Sequence, residues 1–270
     1  MHVAPPRGRR GAHRALTALI LTVAILVLAL AGLFIGSRDA AASEIWLSLF
    51  GDGGERALVW ELRLPRTLLA VVVGVALGAA GAIMQSLTRN PLADPGLLGV
   101  NAGAAVAVAL ALALSLADTI SATVWWAMGG ALVASIIVSV LGDRAGRDSP
   151  ASLVLAGAAV TAALVAVTNG VVLAAPAAFD SFRFWAVGSL EGRGSDVVLG
   201  VLPFVIVGLV VAVTIGRGLD ALTLGDDTAR ALGVHPVIIR VAGVAGIVLL
   251  CGAATARFLW VYKLPRITPK

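Results

Sequence analysis

Residues 67–96 read TLLAVVVGVALGAAGAIMQSLTRNPLADPG. Positions 67–88 contain no Asp, Glu, Lys or Arg, and two prolines and an aspartate then follow in quick succession. About 20 apolar residues in helical form cross the hydrocarbon of a bilayer. Proline lacks the N–H that would continue a helix and disfavours α geometry in the residue before it, so Asn90-Pro91 ends the run. Asp94-Pro95 reads as a new start, because aspartate caps orphan amides and proline suits the first helical position. The stretch is one crossing, a stiff polar reversal on the cytoplasmic side, and the opening of a second crossing.

The rest of the chain repeats that pattern. Of 270 residues 59% are apolar and 13% charged, where a soluble domain carries about a quarter charged. Uncharged apolar runs define seven expected spans at 15–36, 67–88, 97–116, 120–141, 151–175, 197–216 and 237–256. The runs are continuous, whereas the strands of a membrane barrel are about ten residues long and alternate. The fold class is therefore an all-α polytopic membrane helical bundle. Residues 1–14 form a basic N-terminus, 15–256 the membrane domain and 257–270 an atypical tail. The first apolar run exceeds the typical 7–15 residues of a signal-peptide core, so the span is read as retained despite the small residues at 40–42. Arg7, Arg9, Arg10 and Arg14 place the N-terminus in the cytoplasm. Alternation puts Arg89, 143–147 and 217–236 inside, and 37–65 and 176–195 outside. Cys251, the single cysteine, lies in the last span as a small hydrophobe; neither a disulfide nor a metal cluster can form on it within the chain.

No span interior holds an ionisable residue; Asp196 and Arg240 sit at span ends. Ion-driven carriers commonly bury Asp, Glu or His at mid-membrane as relays. Their absence argues that energy for any transport comes from elsewhere. Gly74, Gly78 and Ala82 lie four apart on one helix face, a pattern that lets another helix approach closely or that borders a path. The amides Gln85, Asn101 and Asn169 are expected to face protein or a wet cavity rather than lipid.

Two polar segments stand out. Residues 222–236, LTLGDDTARALGVHP, are too short and too polar to span. Asp226 and Asp227 suit a helix start, Asp226 can pair with Arg230 at i+4, and Gly233 suits a C-terminal cap with Pro236 beyond. This is a short capped helix on the cytoplasmic face, either solvated or fitted to a groove on a soluble partner. Arg63 and Arg66, in WELRLPRTLLA (60–70), lie on the outer rim against the positive-inside tendency. They read as headgroup anchors or as docking points for an acidic partner.

Together ELRLPRTLLAVVVGVALGAAGAIMQSLTRNPLADPGLLGVNAGA (61–104), SLVLAGAAVTA (152–162), FRFWAVGSLEG (182–192) and LTLGDDTARALGV (222–234) resemble the FecCD-type permeases. These are membrane subunits of ABC importers for iron–siderophore, haem and cobalamin. The resemblance implies a permease of roughly ten helices that pairs with a second permease subunit, identical or not. It also implies two cytoplasmic ATP-binding subunits, an extracytoplasmic substrate-binding protein and a metal-chelate substrate, in the cell membrane and without nucleic acid. The chain would catalyse nothing and bind no cofactor, ATP and Mg belonging to the partner ATPase. Arg63 and Arg66 look like the arginines that dock the binding protein. Asn90, Pro91, Leu92, Asp94 and Pro95 resemble one cytoplasmic gate, and Pro150, Ala151 and Ser152, within the turn at 148–152, the other. Leu224, Gly225, Asp226, Asp227, Arg230, Leu232 and Gly233 look like the segment seated on the ATPase.

After GAATA (252–256) family members continue with a run like GPIGFVG and about three more helices, whereas this chain reads RFLWVYKLPRITPK. A C-terminally shortened copy is the resulting expectation. A non-transporting remnant and an ion-coupled secondary carrier are the alternatives to an active importer subunit.

Overall fold

The computed structural model describes residues 7–35, 41–50, 56–117, 120–145, 150–187 and 195–258, and these are helical without a strand. Ten α-helices follow in order: α1 Arg7–Phe34, α2 Ala42–Phe50, α3 Leu64–Thr88, α4 Val100–Ala113, α5 Ile120–Ala145, α6 Pro150–Ala174, α7 Pro176–Val187, α8 Ser195–Thr223, α9 Asp226–Ala231 and α10 Pro236–Phe258. A π-helical segment, Leu58–Arg63, runs into α3, and a 3-10 turn, Pro95–Leu98, precedes α4. Among the described residues six helical stretches are long and apolar enough to cross a membrane: Ala15–Phe34, Leu58–Thr88, Ala122–Gly142, Ser152–Ala174, Val197–Thr223 and Pro236–Ala254.

The chain divides into two compact units, residues 1–71 with 192–195, and residues 72–191 with 196–270. In the first unit α1 exposes leucine, isoleucine and valine side chains from Leu16 to Leu30, as a lipid-facing helix does. Helix formation begins at Arg7, inside the stretch read as a separate basic N-terminus. The π segment anchors α2: Trp60 Nε1 donates to Ser48 O at 3.0 Å, with Ile45 and Val59 buried beside it. Leu64 N–H reaches Val59 O in the wide π pattern. Pro65, read as lying outside the second span, sits just after this widened turn, where a missing N–H is tolerated. The second span therefore starts at Leu58 rather than at 67.

In the second unit α4, α5, α6 and α10 pack against one another. The third span corrects the expectation of 97–116. After the 3-10 turn and Gly99 (φ 69) only the 14 residues Val100–Ala113 are α-helical, about 21 Å of helix against a hydrocarbon core near 30 Å. Its residues Val100, Ala102, Ala104, Val108, Ala109 and Ala111 are buried, so α4 is an interior helix rather than a lipid-facing one. α8 continues past residue 216 to Thr223 because Leu219, Ala221 and Leu222 are buried and extend its apolar face. The segment 176–195, expected outside, contains α7, begun by Pro176, with Phe182 stacked on the buried Trp185 (centroids 5.4 Å apart, 27° between planes). Residues 259–270, most of the tail, lie outside the described residues.

One close helix crossing is glycine on glycine. A Cβ on Gly103 of α4 would strike Gly130 O and Ala134 Cβ, and one on Gly130 of α5 would strike Gly103 O and Ala107 Cβ. The paired Gly103/Ala107 and Gly130/Ala134 faces bring two backbones together as small residues at spacing four allow. Gly74 and Gly78, by contrast, meet nothing within 4 Å, and Ala82 is exposed. Among the described residues, then, the α3 face meets no neighbour, and close glycine packing occurs between α4 and α5.

Gly130→Leu is expected to destabilise the protein by about 1–3 kcal/mol or more, seen as a lower apparent melting temperature in detergent. Gly129→Leu, one residue away with open space around it, is expected to leave the melting temperature unchanged.

Candidate functional site

The reversal after α3 is assembled from local hydrogen bonds. Asn90 N–H reaches Gln85 O at 3.1 Å and Arg89 N–H reaches Ser86 O at 3.4 Å, the two bonds of a Schellman closure. That closure needs a left-handed residue, and here it is Arg89 (φ 51) rather than the usual glycine, at a cost of roughly 1–2 kcal/mol. Asn90 Oδ1 accepts from Leu92 N–H at 2.9 Å and Asn90 O accepts from Ala93 N–H at 3.1 Å. Asp94 Oδ1 accepts from Gly96 N–H at 2.7 Å, capping the 3-10 turn as its sequence position promised, although a 3-10 turn follows it and not an α-helix. Pro91 and Leu92 form the exposed tip, Leu92 at 89% exposure. The far side is fixed by packing: a Cβ on Gly157 of α6 would strike Leu97 O, and Gly99 lies against Ala134 and Val138 of α5.

The second gate segment is described in part. Residues 146–149 lie outside the described residues, and α6 begins at Pro150. Ser152 Oγ donates to Gly142 O at 3.0 Å, tying the first turn of α6 to the last turns of α5. Both predicted gate segments therefore attach to the same α5–α6 pair.

The 222–236 segment folds as expected, with one reassignment. Gly225 (φ 106) turns the chain out of α8, and α9 runs Asp226–Ala231. Gly233 (φ 78) closes it: Gly233 N–H bonds Arg230 O and Val234 N–H bonds Ala229 O, a second Schellman closure. Ala229 is fully buried in a cluster with Ala221 and Leu222, against which Leu87, Val234 and Ile239 pack. Leu224 and Leu232 remain exposed. The expected i,i+4 pair of Asp226 with Arg230 does not form. Asp227 takes Arg230 at 2.7 Å, because Asp226 is turned inward. Asp226 Oδ1 accepts from Arg89 Nη2 at 2.8 Å and from Arg240 Nη2 at 3.0 Å, and Oδ2 lies 2.9 Å from Arg240 Nη2. One carboxylate thus holds two guanidinium groups, from the end of α3 and the start of α10. Nothing local in the sequence marks this cluster; Arg89 and Asp226 are 137 residues apart.

The rim arginines separate in role. Arg63 is buried and donates from Nη1 to Leu33 O at 2.8 Å and Phe34 O at 3.2 Å. It closes the C-terminal end of α1, where helix carbonyls lack partners and a cation is favourable. Arg66 is exposed, one turn along the same helix.

Residues 22–258 match the model of the FecCD transport family. The chain belongs to the FecCD transport family. It is 42% identical over 246 residues to the ferric enterobactin transport system permease protein FepD of Escherichia coli (strain K12), covering 90% of this chain and 74% of that one. It is 34% identical to the Fe(3+)-citrate import system permease protein YfmD of Bacillus subtilis (strain 168), covering 92% and 74%. A solved structure in an inward-facing conformation, of a transporter assigned to the metal-chelate ABC type, superposes with a TM-score of 0.70 at 22% identity, covering 87% of this chain and 73% of that one. That likeness shows the fold.

In this FecCD-family chain the reversal also borders a small open cleft lined by Leu77, Asp94, Pro95, Gly96, Val100, Asn101 and Cys251. Asn101 lines this cleft, whereas Gln85 and Asn169, of which the same was expected, are exposed. Cys251, read from sequence as plain packing, reaches the same cleft. Among the described residues no group of three His, Cys, Asp or Glu side chains is placed to hold a metal ion.

Arg63→Ala is expected to lower stability by about 1.5–3 kcal/mol, because it strips a charged donor from two carbonyls. Arg66→Ala is expected to stay within about 0.5 kcal/mol. Thermal unfolding of the two variants side by side in the same detergent is the measurement.

Proposed function

We propose that this chain is the permease subunit of an ATP-driven importer that takes up an iron–siderophore or similar metal chelate. In this reading it works with a second permease subunit, two cytoplasmic ATP-binding subunits and an extracytoplasmic binding protein, with its N-terminus in the cytoplasm. ATP and Mg are bound and turned over by the ATP-binding subunits. Family membership supports the transport role, and the relatives named for ferric enterobactin and Fe(3+)-citrate support the class of cargo.

The observation that carries the reading is the form of α9. A helix of six residues has too few hydrogen bonds to persist alone, yet this one is closed at its end, backed by buried Ala229 and pinned through Asp226. What it presents outward is apolar: Leu224 at 65% and Leu232 at 62% exposure, beside the charged pair Asp227–Arg230. Exposed leucines on a rigid, polar-rimmed ridge are the form of a surface that seats in a partner's groove. The exposed tip Leu92 adds a further apolar contact. The small-residue face of Gly74, Gly78 and Ala82, open in the single chain, is available to a neighbouring helix. Arg66, free of the internal duty that occupies Arg63, is the better candidate for docking an acidic binding protein.

Leu224→Asp with Leu232→Asp is expected to abolish co-purification with the ATP-binding subunit. Each lost leucine contact is worth about 1.5–3 kcal/mol; insertion and melting temperature should be unchanged. Retained co-purification overturns the coupling role of α9. Arg66→Glu is expected to weaken capture of the binding protein most at low salt, where a surface charge pair is least screened, and titration at two ionic strengths reads this directly.

A further inference from the structure

The ion cluster beneath α9 has a shape that simple anchoring does not require. Asp226 is the least exposed of its three members, at 13%, against 33% for Arg89 and 30% for Arg240. Its two oxygens take guanidinium groups from two different helices, which without the carboxylate would face each other as like charges. Arg89 occupies the left-handed position of the Schellman closure, where glycine would cost nothing. The side chain therefore has a use that outweighs the backbone penalty. Arg89 is also the residue immediately before Asn90, whose side chain and carbonyl organise the reversal.

We infer that Asp226 is a positioning residue that links α9 to the reversal at 90–95 through Arg89, so that displacement of α9 is passed to the gate. The inference rests on the coupling role proposed for α9 and assigns its connection inside the membrane subunit. The mechanics follow from the attachments. The near end of the reversal is fixed to Asp226 through Arg89, while its far end is fixed on α6 at Gly157 and on α5 beside Gly99. Moving α9 pulls one end of the reversal while the other stays, which works Leu92, Ala93 and Asp94 as a lever. Arg240 holds the same carboxylate from α10, the helix that brings Cys251 to the cleft beside Asp94. The pin therefore joins both sides of that cleft to α9.

Hydrogen exchange on the whole chain in lipid nanodiscs tests this without reference to transport. In Asp226→Asn, amides of the reversal (Leu92, Ala93, Gly96, Leu97) and of α9 (Ala229, Gly233, Val234) are expected to exchange about ten-fold faster together, with α4 and α5 unchanged and Asp226→Glu restoring much of the protection. Faster exchange in α9 with an unaltered reversal, or no change in either, overturns the link. Should Asp226→Asn loosen the entire bundle, Arg89→Gln decides, because it keeps the Asp226–Arg240 pair: the reversal alone is then expected to loosen, and an unaltered reversal overturns the link. A second arm adds an ATP-binding subunit from a ferric-siderophore importer. Protection is expected at α9 in both wild type and Arg89→Gln, reaching Leu92 and Ala93 in wild type only. Protection that reaches the reversal equally in both overturns the link, whereas no protection at α9 in wild type counts against the importer reading and leaves the first arm standing.

Discussion

In a bilayer every backbone N–H and C=O must find its partner inside the protein, since no water is present to take the place of one. The architecture follows from that requirement. Crossings are helices, and wherever a helix stops, the structure supplies a specific closure. Arg89 and Gly233 close α3 and α9 by the same pair of bonds. Asp94 caps the 3-10 turn, and Arg63 closes α1 with a side chain where its own backbone cannot. Charged residues make up 13% of the sequence, and Arg63, Arg89, Asp94 and Asp226 all sit at such ends.

Within the bundle, packing replaces the hydrophobic effect as the source of cohesion, because lipid tails are as apolar as leucine. The Gly103–Gly130 crossing, the seating of Leu97 on Gly157 and the meeting of Gly208 with Leu250 all depend on a missing Cβ. The first two bring α4, α5 and α6 close enough for the two predicted gate segments to share one support. The end that carries α9 has a different logic. There an apolar seat of Ala221, Leu222 and Ala229 lies beneath a cluster of three charges, which combines depth with orientation.

Features encoded within one segment were legible in the sequence. Uncharged runs marked the crossings, Asn90-Pro91 and Asp94-Pro95 marked the reversal, and Gly233 before Pro236 marked the end of α9. Features that depend on distant partners were not. The acidic pair at 226–227 invited the local i,i+4 reading, while Arg89 and Arg240 compete for Asp226 from elsewhere in the fold. Arg63 and Arg66 look alike in sequence, and only the carbonyls of Leu33 and Phe34 distinguish them. Small residues at spacing four occur on several helices, so the pattern alone did not single out the α4–α5 crossing. The third crossing looked long because its 3-10 entry is as apolar as the helix that follows. The closures at Arg89, Asp94 and Gly233 tie the candidate gate and α9 to helix ends, which is why so much of that region could be read locally.

The fastening of α1 bears on how the protein meets membranes of different thickness. Held at its C-terminal end by one guanidinium and by the contact of Gly32 with Thr67, it exposes apolar side chains from Leu16 to Leu30. A rod secured at one end accommodates a thinner or thicker bilayer by leaning, at a fraction of a kcal/mol per ångström of mismatch. Its free length acts as a compliant spar, and the lean leaves the bond at Arg63 as its pivot.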